Sequence, residues 1–306
     1  MKALLDSIWR RRPGWPGPLF AVAFLIVFSC CTVSAANPDP EAVEYARVGS
    51  RALLLDIYQP ADRSGPSPLV VWVHGGAWRA GSRSKVPVTE LTKHGYAIAS
   101  VDYRLSGEAG FPAQVHDIKA AIRFLRARSQ SFGFDPQRFV IAGASAGGHL
   151  AALAGVSHKH EALEGTVGDD STESSDVQAI VSFYGASNLE TILSQSTPHG
   201  LSVRVPALQL LLAGQPADKP DLARLASPVS HVDGRDPPLL LVHGDQDPQM
   251  PINQSHELHG AYIDAGCSSK FHVVYGGAHG GNGFYESEMI EKVSQFLKAA
   301  LFQSSR

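Results

Sequence analysis

The stretch Phe139-Val140-Ile141-Ala142-Gly143-Ala144-Ser145-Ala146-Gly147-Gly148-His149-Leu150 decides the fold. Four apolar residues suited to a buried strand run straight into small residues and then into a helical pattern predicted from about Gly148 to Val156. Gly143 to Gly147 has the form G-x-S-x-G. In this context that form makes a strand-to-helix turn so tight that only small residues fit, and the turn lifts the serine hydroxyl above the sheet edge. The helix N-terminus adds partial positive charge where an anion would develop. Ser145 is the candidate nucleophile.

Outward from this turn, short apolar runs recur between helical patterns: Pro68 to Val73, Tyr96 to Val101, Val177 to Phe183, Leu239 to Val242 and Phe271 to Tyr275. Runs without polar alternation predict strands covered on both faces. Ala52 to Tyr58 is a weaker strand near the edge. Between them lie amphipathic helices. The clearest carries Val115, Ile118, Ile122 and Leu125 on one face, with Lys119, Arg123 and Arg126 pointing elsewhere. The last repeats the pattern with Tyr285, Met289, Val293, Phe296 and Ala300. This alternation predicts an α/β fold: a mostly parallel twisted sheet with helices on both faces and its site at the carboxyl ends of the strands. With the turn at Gly143 to Gly147 it reads as an α/β-hydrolase fold. Two stretches read as irregular. The acidic one from Glu161 to Asp176 is expected to be a solvated loop. The one from Gly185 to Asp236 is long enough to fold over the site as a partial lid.

A serine hydroxyl needs a base, and on this architecture an acid and then a histidine follow the serine in chain order. Of 13 histidines, His279 alone occupies a glycine-rich loop, Gly276-Gly277-Ala278-His279-Gly280-Gly281, at the end of a strand. It is the candidate base. His272 lies within a strand, and His256 and His259 lie on a helix of mixed polarity. The strand Leu239 to Val242 leads into His243-Gly244-Asp245-Gln246-Asp247-Pro248. Asp245 is placed to close the turn through backbone amides. Asp247, held extended before Pro248, is better placed to orient a histidine.

The remaining requirement is an oxyanion hole. His74-Gly75-Gly76-Ala77-Trp78 follows a strand and bares its backbone. The amides of Gly76 and Ala77, with that of Ala146 after the serine, are the candidate donors. His74 is expected to brace this loop, and Trp78 to wall the substrate pocket or simply pack. His158-Lys159-His160 lacks a third ligand and is read as a solvated loop, not a metal site.

Composition sets outer limits. A net charge of -3 lacks the basic excess that neutralises phosphates, so no nucleic-acid partner is expected. Lys2 and Arg10 to Arg12 precede an apolar run from Leu19 to Cys31 and then small residues through Ala36. That is the layout of a secretory signal peptide, residues 1–36, with cleavage expected after Ala35 or Ala36. An uncleaved anchor or a lipid on Cys30 is the alternative. The run is shorter than the ~20 residues of a spanning helix, so no stable membrane insertion is expected of the mature, secreted or periplasmic chain, 37–306. Cleavage would leave Cys267 without a disulfide partner.

Together, His74 to Trp78, Asp102-Tyr103-Arg104-Leu105, Phe111 to Arg128, Gly143 to Leu150, Ser227-Pro228, His243 to Pro251 and Gly276 to Gly280 resemble the carboxylesterases related to hormone-sensitive lipase. Within that group the resemblance is to the compact bacterial branch with feruloyl and acetyl-xylan esterase-like enzymes. It implies about eight strands, no metal or organic cofactor, and short-chain acyl or aryl esters, small or polysaccharide-linked, as substrates. It also supports Asp247 as the acid. Amide or peptide hydrolysis on the same fold is the alternative activity, and a catalytically inactive binding protein the remaining one. Ala77 departs from the larger family's third oxyanion glycine, and with only some tens of residues between the signal peptide and Ala52, that family's long N-terminal cap is not expected here.

Overall fold

The computed structural model describes residues 40–62 and 64–302. The signal-peptide reading of residues 1–36 falls outside them. Eight strands form one sheet: β1 (Glu41–Val48), β2 (Arg51–Tyr58), β3 (Ser67–Val73), β4 (Ala97–Val101), β5 (Phe134–Ala144), β6 (Ala179–Phe183), β7 (Leu239–Gly244) and β8 (Ser269–Val274). Their order is β1-β2-β4-β3-β5-β6-β7-β8. The pairings β1 with β2 and β2 with β4 are antiparallel. All others are parallel.

Nine α-helices are described: α1 (Ala113–Ala127), α2 (Ser129–Phe132), α3 (Ala146–Val156), α4 (Glu161–Glu164), α5 (Ile192–Gln195), α6 (Pro198–Leu211), α7 (Pro220–Leu225), α8 (Asn253–Asp264) and α9 (Ser287–Phe302). The central strands are apolar throughout because alternate residues enter different cores. Leu69, Val71 and Val73 pack with residues of α1, α3 and α8. Val70 and Trp72 pack with Leu91 and with Ile290, Val293 and Leu297 of α9. Burying both faces in this way makes every side chain contribute to desolvation, roughly 1.5–3 kcal/mol for each large aliphatic one.

Departures from the sequence reading cluster at the periphery. β1 was not expected: its charged residues Glu41, Glu44 and Arg47 obscure the pattern, and a bulge between Glu44 and Ala46 breaks the period of two. β8 forms the other edge and is half-exposed, not covered on both faces. The Gly185 to Asp236 stretch is not irregular, since it holds α5, α6 and α7.

The acidic stretch is exposed at Glu161 and from Ser171 to Ser174, as a surface loop would be, but at Glu164 it is a clamp. Lys119 and Arg123 of α1 are 1% and 2% exposed. Lys119 Nζ donates to Glu164 Oε2 at 3.0 Å and to the Ser157 carbonyl at 2.6 Å. Arg123 donates to the same carboxylate and, at 3.1 Å, to the Val167 carbonyl. His158, half-buried, pairs with Asp176 and Asp236 at 3.3 and 3.2 Å. Hydrogen bonds donated to both carboxylates push its pKa up to about 9. A buried cation deprived of its partner is strongly destabilising. Glu164→Ala should lower the unfolding free energy by about 3 kcal/mol, near the low end for a buried pair because this carboxylate keeps some water contact. Urea titration checks it. Removing the exposed Glu44–Arg47 pair should leave the midpoint unchanged.

Candidate active site

Ser145 sits between the end of β5 and the start of α3 with φ 57° and ψ -120°, in the region that side chains avoid. The chain makes this turn because the positions two residues to either side, Gly143 and Gly147, have no side chain. A Cβ on Gly147 would lie 2.1 Å from the Val73 carbonyl oxygen, and one on Gly143 would lie 2.3 Å from that of Gly147. The Ser145 amide is held by the Phe183 carbonyl at 2.9 Å. Such strain amounts to roughly 1–3 kcal/mol and persists only where its surroundings enforce it.

Three side chains from three loops meet here. His279 Nε2 lies 2.8 Å from Ser145 Oγ. His279 Nδ1 lies 2.7 Å from Asp247 Oδ2. A carboxylate can only accept, so Nδ1 carries the proton and Nε2 accepts from the serine hydroxyl. The Asp247 side chain is wholly buried, yet its oxygens are fully engaged. The amides of Gln249 and Met250 both donate to Oδ1 at 2.8 Å. Burial alone would raise this carboxyl. Hydrogen bonds from His243, His279 and the Met250 amide outweigh it and hold the group well below the usual carboxylate range. Asp245 is occupied elsewhere, accepting from the Gly276 amide at 2.6 Å and so tying the two loops together.

The loop after β3 brings Gly76 and Ala77 alongside. Their amides, and that of Ala146, make no hydrogen bond to the described residues. Ala77 adopts φ 52° and Trp78 φ 59°. His74 braces the loop: its ring stacks on Tyr103 at 4.4 Å, and Tyr103 donates to the His74 carbonyl at 2.9 Å. Burial lowers the His74 pKa. Trp78 corrects the expectation of a substrate contact. Its side chain is 0% exposed, and its indole N–H donates to His149 Nδ1 at 3.0 Å. The wall is thus a packing residue that holds α3.

Other contributors were invisible in the sequence as functional residues. His243 is buried with Nε2 3.0 Å from the Met250 carbonyl and 3.4 Å from Asp247 Oδ2. Its Nδ1 meets Ser255 Oγ at 2.7 Å. It pins the acid loop to α8. The Gly185 to Asp236 segment docks beside the same loop: Thr197 Oγ1 donates to the Pro248 carbonyl at 2.5 Å. Within the Asp102 to Leu105 motif, Asp102 accepts from Arg83 at 2.7 Å. Arg104 grips Asp117 of α1 through two nitrogens.

The sequence profile of the BD-FAE family matches residues 55–262. The chain belongs to the BD-FAE family. A truncated carbohydrate esterase from gut microbiota is 31% identical, with a TM-score of 0.78 over 87% of this chain and 98% of that one. Est2, an esterase of Thermogutta terrifontis, is 27% identical, with a TM-score of 0.70 over 88% of this chain and 96% of its own. That protein has also been solved with butyrate bound and phosphonylated by sarin. Esterase LipQ of Mycobacterium tuberculosis is 32% identical over 76% of this chain. This BD-FAE chain spans about half the length of its mycobacterial relatives, 54% of LipQ and 50% of Esterase LipC. The α/β-hydrolase fold and the resemblance drawn from the motifs agree with these findings.

His149 supplies a pH test of the packing behind the site. It accepts from Trp78 and lies 2.6 Å from the Ala226 carbonyl, so it must be neutral. Burial lowers its pKa to about 4. In the unfolded chain it protonates near 6.5. Its contribution is therefore complete above about pH 6.5 and is lost progressively as pH falls toward the folded value. Between pH 7.5 and 4.5 the wild type should lose roughly 2–3 kcal/mol more unfolding free energy than His149→Gln, as read by urea titration.

Proposed function

We propose that this chain is a serine carboxylesterase that hydrolyses short-chain acyl esters, aryl or feruloyl esters included, through an acyl-enzyme. The observation that carries the reading is the unbroken path from Ser145 Oγ through His279 to Asp247, 2.8 and 2.7 Å long at its two links. The esterase names of the relatives and the butyrate-bound and phosphonylated forms of Est2 support the chemistry.

His279 Nε2 takes the Ser145 proton as Oγ attacks the ester carbonyl. The bond formed is Oγ–C, and the carbonyl pair moves onto oxygen. Gly76, Ala77 and Ala146 amides donate to that oxyanion, an interaction worth on the order of 10²-fold to 10³-fold per donor. Collapse expels the alcohol, which receives the proton from His279. Water then repeats the sequence on the acyl-enzyme, releasing the acid and restoring Ser145. Asp247 fixes the imidazole tautomer and balances its transient charge. Export by residues 1–36 belongs to the same proposal and would bring the enzyme to esters outside the cytoplasm, free or attached to polysaccharide.

Purified variants assayed on nitrophenyl butyrate test it. Ser145→Ala and His279→Ala should each lower kcat by about 10⁴-fold to 10⁶-fold without unfolding the chain. Asp247→Asn should lower it by about 10⁴-fold, since an amide stabilises the wrong tautomer. Asp245→Asn should lose about 1 kcal/mol of stability and keep its turnover. Full activity in a folded Ser145→Ala protein would refute the assignment.

A further inference from the structure

The His279 loop carries a group that must be held to tenths of an ångström, and its backbone is tied at Gly276, Gly277 and Gly280. Gly276, Gly280, Gly281 and Gly283 all have positive φ, a conformation glycine takes without strain. The hydrogen bonds to Asp247 and Ser145 hold the two ring nitrogens but do not set the tilt of the ring about the line between them. What limits that tilt stands just past β6, two strands away in the sheet. The Tyr184 ring stands 4.7 Å from the imidazole centroid, at 61° to its plane.

We propose that Tyr184 is a positioning residue whose ring is the wall against which the His279 imidazole rests, keeping Nε2 directed at Ser145 Oγ. The inference rests on the esterase reading above and deepens it. Several features fit the tyrosine to this task. It follows β6 at φ 39°, a strained setting for an aromatic residue. Its amide is anchored to the Val242 carbonyl at 2.7 Å, and the preceding Phe183 carbonyl accepts from Ser145. One dipeptide therefore locates both nucleophile and base. The ring is 7% exposed and is itself braced, edge-on against Phe284 at 5.0 Å and through its hydroxyl to Tyr285 at 2.5 Å. Gly280 lets the loop close on it, since a Cβ there would lie 2.9 Å from the phenol oxygen.

Tyr184→Leu keeps apolar bulk and removes the flat ring. It should lower kcat on nitrophenyl butyrate by about 10²-fold, as misplacement of a catalytic group by about 1 Å does, and leave KM near the wild-type value. Tyr184→Phe should recover most of the loss. Tyr184→Met serves the same comparison should the leucine variant fail to fold. The second readout is the far-downfield proton resonance of His279 Nδ1, assigned by its absence from His279→Gln. It should be sharp in the wild type and Tyr184→Phe and broadened in Tyr184→Leu. That spectrum is recorded with no ester present, so it stands even if the esterase reading fails. A sharp resonance and wild-type kcat in Tyr184→Leu, or a rise in KM with kcat intact, would overturn the proposal.

Discussion

Between the Val73 carbonyl and the Cα of Gly147 there is no room for a methyl group, and the rest of the site depends on that close approach. It lets α3 start directly against the end of β3, which forces the backbone at Ser145 into a conformation it would otherwise avoid. The serine is thereby raised above the sheet, its following amide is left unpaired, and the loop after β3 is brought level with it. The strain at Ser145 is opposed by a helix buried along its entire length and by a sheet that is apolar on both faces at its centre. A site this demanding needs such a core beneath it.

His279 and Asp247 are fixed by a different device. Each stands on a loop after a later strand, where backbone alone would hold it loosely. Asp247 is secured by two amides and by His243, which in turn meets Ser255 of α8. Asp245 ties the acid loop to the histidine loop. On the esterase reading proposed above, the imidazole set between Asp247 and Ser145 is preorganised: little movement separates this arrangement from proton transfer. Electrostatic preorganisation of this kind is where much of an enzyme's rate enhancement resides.

The central strands, α1, α3, α9 and the meeting of Ser145, His279 and Asp247 were legible in the sequence because each follows a local rule: an apolar run, a helical period, a glycine-bounded loop at a strand's end. What escaped depends on partners distant in the chain. Lys119 and Arg123 have the look of a solvated helix face until Glu164, some forty residues on, is seen to cover them. Trp78 follows the Gly75-Gly76 loop, and nothing local reveals that its indole turns inward to His149. Tyr184 ends an apolar run like any buried aromatic, and its place beside His279 arises only when β6 and β8 lie in one sheet. β1 was hidden by its charges and its bulge.

The central claim is that Ser145 Oγ is the atom that attacks. The most direct measurement is covalent capture: incubation with a fluorophosphonate, followed by digestion and mass spectrometry to locate the adduct. The account predicts a single phosphonyl group on Ser145, formed in the wild type and not in a folded His279→Ala protein. A phosphonyl group on any other residue, or an unlabelled Ser145 in protein that still hydrolyses esters, would contradict it.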